Sequence, residues 1–301
     1  MKKKTYLFAL MAMVLTLGSC SDNENGIGGE TSKYITVSTS IGNMTRVATD
    51  ANGGQTFEEG DEISVYAWTG APTVAPETSE RVVNNAINKL TNGSWVSTPQ
   101  MLWKNNRDKH YFIGVYPISA ISDLSAGEYT FDETKQVESD LLVAVNKDGL
   151  SYNVDEQQPV PLTFTHVMAK LVVNLTYKNQ WGTEGPTVDK VVVGNAAKKA
   201  TVNYLTKVVT PSAVAKEDFS LPEITENTKY VSVIIPQEDV KQLTIVIGGK
   251  NFVYDNGTPF KLESGKITTV NLEVGRDEIK LGDVKITDWE NGSTFSGEAL
   301  N

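Results

Sequence analysis

From Tyr34 onward no stretch of this chain sustains four helical turns of 3.6-residue periodicity. Short runs rich in valine, isoleucine, threonine and aromatic residues are instead separated by turn-forming clusters. That pattern sets the fold class as all-β. In the first half the strands are expected at Tyr34 to Ile41, Glu62 to Thr69, Glu80 to Leu90, Tyr111 to Tyr116, Glu128 to Phe131 and Asp140 to Val145. Asn52-Gly53-Gly54, Glu59-Gly60-Asp61, Asn92-Gly93, Pro117 and Lys147-Asp148-Gly149 bound them, supplying positive φ or a fixed φ. In the second half the runs are Val160 to Phe164, Lys170 to Tyr177, Val188 to Val193, Ala200 to Tyr204, Lys229 to Ile235, Leu243 to Ile247, Asn251 to Tyr254 and Thr268 to Val274. Gly248-Gly249 joins two of them at the spacing of a tight hairpin. Without alternation of strands and helices, antiparallel sandwiches are expected rather than a parallel sheet. Pro211 to Phe219 has room for a short helix. A chain of 301 residues exceeds one ordinary sandwich, so two domains are expected, residues 34–160 and 161–301, with Gln157-Gln158-Pro159 and Pro161 marking the boundary.

The N-terminus carries a different message. Lys2-Lys3-Lys4 precede an apolar run from Tyr6 to Leu17 that is too short to span a bilayer, so residues 1–19 read as a signal peptide. The run ends in Leu17-Gly18-Ser19-Cys20, which resembles the lipobox of bacterial lipoproteins, and Cys20 is the expected site of lipidation. It is the chain's single cysteine, so neither an intramolecular disulfide nor a cysteine metal site is available. Two acyl chains give stable membrane attachment at roughly 0.8 kcal/mol per buried methylene, and the fold then needs no membrane-binding surface of its own. Residues 20–33, polar and glycine-rich, read as a flexible tether. Loss of Lys2, Lys3 and Lys4 takes the net charge from -10 to -13, which leaves no basic footprint for nucleic acid.

The chain is poor in reactive groups. Its two histidines, His110 and His166, are far apart, and no Gly-x-Ser-x-Gly elbow accompanies them. His110 sits among Arg107, Asp108 and Lys109 and reads as a loop residue; His166, between Phe164 and Met168, reads as half-buried and hydrogen-bonded. Two histidines and one lipidated cysteine cannot supply a zinc tetrahedron. Glu58-Glu59-Gly60-Asp61 is an acidic turn without calcium-loop spacing, and no phosphate-cradling glycine motif occurs. No cofactor, metal or catalytic residue is expected, and the chain is not read as an enzyme. Trp68, Trp95, Trp103, Trp181 and Trp289 offer flat faces suited to sugars, but their apolar neighbours favour packing.

Several segments share an order with one known family. Phe57-Glu58-Glu59-Gly60-Asp61-Glu62-Ile63-Ser64-Val65-Tyr66-Ala67 comes first, then Tyr111 to Pro117 with Trp103 upstream, then Asp140 to Ala144. Leu162 to Leu171 and finally Ile286-Thr287-Asp288-Trp289 complete the set. In this order, after a lipobox, the chain resembles the fimbrillin-like family, lipoprotein subunits of the type V pili of Gram-negative anaerobes. The resemblance implies two tandem transthyretin-like β-sandwiches, assembly with other pilus subunits by strand exchange, and export to the outer membrane as a lipoprotein. It also implies trimming by an arginine-specific protease, for which Arg46 in Met44-Thr45-Arg46-Val47 stands at the matching place. Ile279, Leu281, Val284 and Ile286 alternate with polar residues, as a groove-filling donor strand requires. The expected function is therefore that of a fimbrial subunit, shaft, tip or accessory, serving adhesion. The alternative is a surface lipoprotein that binds carbohydrate or a host ligand and never polymerises.

Overall fold

Where the sequence alternates, the chain pairs into sheets. The structure is a computed structural model that describes residues 34–42, 56–152, 158–182, 185–255 and 257–289, all within the unit Lys33–Asn301. The strands of the first half are β1 (Val37–Ile41), β2 (Glu62–Thr69), β3 (Arg81–Thr91), β4 (Ser94–Thr98), β5 (His110–Tyr116), β6 (Gly127–Thr130), β7 (Leu142–Leu150) and β8 (Val160–His166). Those of the second half begin with β9 (Ala169–Tyr177), β10 (Lys190–Ala197), β11 (Lys199–Asn203), β12 (Val208–Pro211), β13 (Lys216–Leu221) and β14 (Glu223–Thr225). They continue with β15 (Lys229–Ile234), β16 (Gln242–Ile247), β17 (Lys250–Asp255), β18 (Lys266–Val274) and β19 (Ile279–Asp288). The all-β expectation is borne out. The segment read as a short helix is not helical: β12 ends at Pro211, and β13 pairs antiparallel with β10. The alternation that buries Phe219 and Leu221 outweighs local propensity there.

Seven strands form one sheet in the order β1-β8-β7-β5-β2-β3-β4. The central strands read as unbroken apolar runs because both faces are covered. Ile63, Val65 and Ala67 of β2 join one hydrophobic cluster with Phe112 of β5 and Phe164 of β8. Tyr66 and Trp68 point the other way, with Ile113 and Val115, into a larger cluster shared with the second half of the chain. A Cβ at Gly114 would lie 2.6 Å from Cζ of Phe164, so glycine is what lets the tip of that ring approach β5 so closely.

The remaining sheets are β14-β15-β9-β18-β19, β13-β10-β16-β17 and β12-β11-β6. The five- and four-stranded sheets bury Leu171, Val173, Val270 and Leu272 against Val191, Val193, Leu243 and Ile245 in the larger cluster. Both two-residue hairpins have the positive φ pair that their turns demand, Asn92-Gly93 (51° and 72°) and Gly248-Gly249 (56° and 75°). Pairing is mostly antiparallel, but β1–β8 and β9–β18 are parallel, each bridged by a long crossover rather than a turn.

Candidate functional site

Cys20 and Arg46 lie outside the described residues. What the structure describes is the edge strand at each end of the chain and a buried polar group between them.

At the N-terminal end, β1 runs parallel to β8 with five residues in register, Val37↔Val160 through Ile41↔Phe164. Ile35, Val37 and Ile41 alternate into the smaller cluster, Ile35 being 2% exposed. The seven-stranded sheet rolls until its two edges approach. Trp95 on β4 donates its indole N–H to Thr39 Oγ1 (3.0 Å), and the Ile35 N–H donates to the Met101 carbonyl (2.9 Å). A cleft of about 570 Å³ remains between these edges, lined along the whole of β1 and by Phe57, Leu90 and Trp95. Phe57 closes its inner end, edge-on to Trp95, Tyr116 and Phe164 at centroid distances of 5.3, 5.4 and 5.1 Å.

The turn after Phe57 is held by its own acidic residues. Asp61 Oδ2 accepts from the Glu58 N–H (2.7 Å), and Glu59 Oε1 from the Asn92 N–H (2.7 Å), which ties the turn to the β3–β4 hairpin. Burial, reinforced by the charge of Asp61, pushes the Tyr116 phenol up to about 12. Of the Phe57-to-Ala67 segment, Phe57 alone lines the cleft. Among the described residues no group of three or more histidine, cysteine, aspartate or glutamate side chains is arranged to hold a metal.

At the C-terminal end, β19 pairs antiparallel with β18 through nine register pairs, with a bulge at Gly282. It is an edge strand, and none of its ten residues is buried. Leu281, Val284 and Ile286 lie on the face that β18 turns to the core, opposite Leu272, Val270 and Thr268. They nevertheless stay 37–39% exposed.

The buried polar group joins three of the segments singled out in the sequence. His166, at the end of β8, has Nδ1 2.8 Å from Asp140 Oδ1, and its side chain is 3% exposed. Its ring stacks on the indole of Trp289 at 4.0 Å and 6°. Lys170 Nζ lies 4.7 Å from the centroid of the same indole. Burial lowers the Lys170 ammonium to about 8, although the charge of Asp140 works against the shift. Neither His166 Nε2 nor Trp289 Nε1 has a hydrogen-bond partner among the described residues.

His110 was read as a loop residue. It opens β5 fully buried, with the Lys104 N–H donating to its Nε2 (3.0 Å) and Trp103 edge-on to its ring at 4.9 Å. Burial lowers its pKa. The sequence reading missed β4, the cleft and the convergence on Trp289. Asn92-Gly93 signalled β4, because a tight hairpin turn requires a second strand after it.

A body of several sheets without a described α-helical layer defines the class as all-β. The particular family follows from comparison: the fimbrillin-like family matches residues 45–289, a span that contains every strand from β2 to β19. The chain belongs to that family. It is 25% identical over 324 aligned positions to a Bacteroides uniformis protein named as a fimbrium subunit, Fim1C, covering 99% of this chain and all of that one. The fold is similar to crystal structures described as cell adhesion proteins. One is from Bacteroides uniformis (TM-score 0.65, 18% identity, 85% of this chain and 99% of the other). Another is from Bacteroides ovatus (TM-score 0.65, 18% identity, 86% and 98%).

Proposed function

We propose that this protein is a structural subunit of a cell-surface fimbria, exported as a lipoprotein through Cys20 and joined to its neighbours by exchange of β-strands in the service of adhesion. Family membership supports the fimbrial part of this reading. The observation that carries the exchange is a match between the two edges. β1 and the residues leading into it fill a seat with apolar side chains on one face, Ile35, Val37 and Ile41, while β19 presents Leu281, Val284 and Ile286 on one face, the bulge at Gly282 taking up the extra residue, and leaves them exposed. A strand that leaves such a seat uncovers apolar surface and unpaired backbone groups, and a strand of like pattern from another subunit satisfies both. In this reading cleavage at Arg46, which follows β1, frees that strand, and β19 of a second copy takes its place. The reading keeps two tandem transthyretin-like sandwiches, residues 34–160 and 161–301, as the unit that is strung together. It assigns the chain no catalysis.

Deleting the residues after Gly275 tests the exchange. High-mass ladders should disappear while the remaining sheets stay folded; unchanged oligomer content would favour a surface lipoprotein that binds a carbohydrate or host ligand without polymerising. N-terminal sequencing of material sheared from cells tests the processing step. A start at Val47 is expected, and a start at Cys20 alone rejects cleavage at Arg46.

A further inference from the structure

Strand exchange uses the two edges and leaves the group around Trp289 without a role. Its members come from separate parts of the chain: Asp140 before β7, His166 at the end of β8, Lys170 in β9, and Trp289 directly after β19. Ten consecutive residues of β19 bury no side chain, yet the next residue is 7% exposed. Full burial at this end of the described chain is therefore concentrated in one indole, beside a half-buried Ile279 on the larger cluster and the exposed pairs Lys266–Asp288 and Asn271–Asp283. Its place is also fixed through the backbone, because the Trp289 N–H donates to the Gly265 carbonyl (2.9 Å) and the Gly265 N–H to the Met168 carbonyl (2.8 Å).

We propose that Trp289 is a catch that holds β19 on its own fold, and that withdrawal of the indole from His166 and Lys170 releases the strand. Where the released strand then goes rests on the exchange reading above; the catch itself does not. The physical case has two sides. Stacking on His166, the cation near the ring and removal of the indole from water all favour the closed state. The same closure leaves His166 Nε2 and Trp289 Nε1 buried without partners among the described residues, and a buried polar atom without a partner opposes it. Opening returns both nitrogens to water, so part of the cost of release is recovered at the moment of release. Once the indole is out, β19 keeps its ladder to β18, the half-buried Ile279 and the exposed pairs Lys266–Asp288 and Asn271–Asp283, and as an edge strand it has that ladder open to water along its outer side.

Hydrogen exchange on the full chain tests the catch with the wild type, W289A and W289F. In W289A the protected amides of residues 280–288 should exchange on the order of a hundredfold faster, while those of β5 and β9 keep their protection. W289F, which keeps a ring for His166 to stack on, should recover most of the loss. Unchanged protection of residues 280–288 in W289A would overturn the proposal. So would an equal loss across all sheets, or failure of W289A to fold, since the indole would then serve the whole core. Ladder formation by the same proteins separates the two readings. A loosened β19 in W289A, with no ladders from any of the three proteins, leaves the catch standing and removes strand exchange.

Discussion

β1 and β19 are both edge strands near the ends of the described chain, and they are held by opposite means. β1 has a five-residue parallel ladder and sinks alternate side chains into a closed cluster. β19 has a nine-pair antiparallel ladder and fully buries none, with Ile279 half-buried on the core and its one buried anchor the residue that follows it. Each backbone hydrogen bond contributes only about 0.5–1.5 kcal/mol net, so the longer ladder does not make the firmer strand. Length of pairing and strength of seating are separate properties.

The contrast can be broken at its strong end first. Phe164, the partner of Ile41 in the ladder, is fully buried with the tip of its ring against Gly114, and Phe164→Ala should destabilise the protein by about 3–5 kcal/mol in urea unfolding. Ile35→Ala, which removes a seated side chain of the segment leading into β1, should cost about 2–4 kcal/mol in the same measurement. A loss below about 1 kcal/mol in both would mean that β1 is no better seated than β19.

The weak end responds to pH through Lys170. Its ammonium lies at about 8 in the folded protein against an ordinary 10.5. Between those values the unfolded chain still holds a proton that the folded chain has shed, so stability should rise as pH goes from 8 toward 10. Below pH 8 both states are charged and the cost of burying the ammonium is present in full. Above pH 10 the trend should reverse, because burial holds the Tyr116 and Tyr177 phenols up to about 12 and the unfolded chain ionises first. The rise should amount to no more than roughly 3 kcal/mol. Unfolding midpoints at successive pH values check it, and K170M should flatten the rising limb. The smallest effect is expected on β19 itself: Val284→Ala should shift global stability by about 0.5 kcal/mol or less, since that side chain already meets water. A larger loss would show that β19 is seated after all.

Much of this was legible in the residues. The run from Glu62 to Thr69 announced a strand, and Gly248-Gly249 announced a hairpin. Local signals of this kind travel with the sequence because the backbone demand and the residue that meets it are neighbours. Strands β4, β12, β13 and β14 were harder to find. Each is short and polar along one face, and Lys216–Leu221 becomes a strand only because β10 is there to pair with it. His166 is hydrogen-bonded as its neighbours suggest but buried rather than half-buried, because its partners Asp140 and Trp289 are brought by the folding of distant segments to which no spacing in the chain points. The same holds for the cleft beside β1, whose walls come from β1, β4 and Phe57.

The parallel pairing of β1 with β8 has a consequence for timing. Ser40 and Thr163, whose hydroxyls meet at 3.2 Å across that ladder, are 123 residues apart. A chain that emerges with its N-terminus leading must carry β1 exposed until more than a hundred further residues have followed, and contacts of such long range form slowly. The described strand that appears earliest is thus among the last to dock, since the edge it docks on does not exist until β8 has followed it.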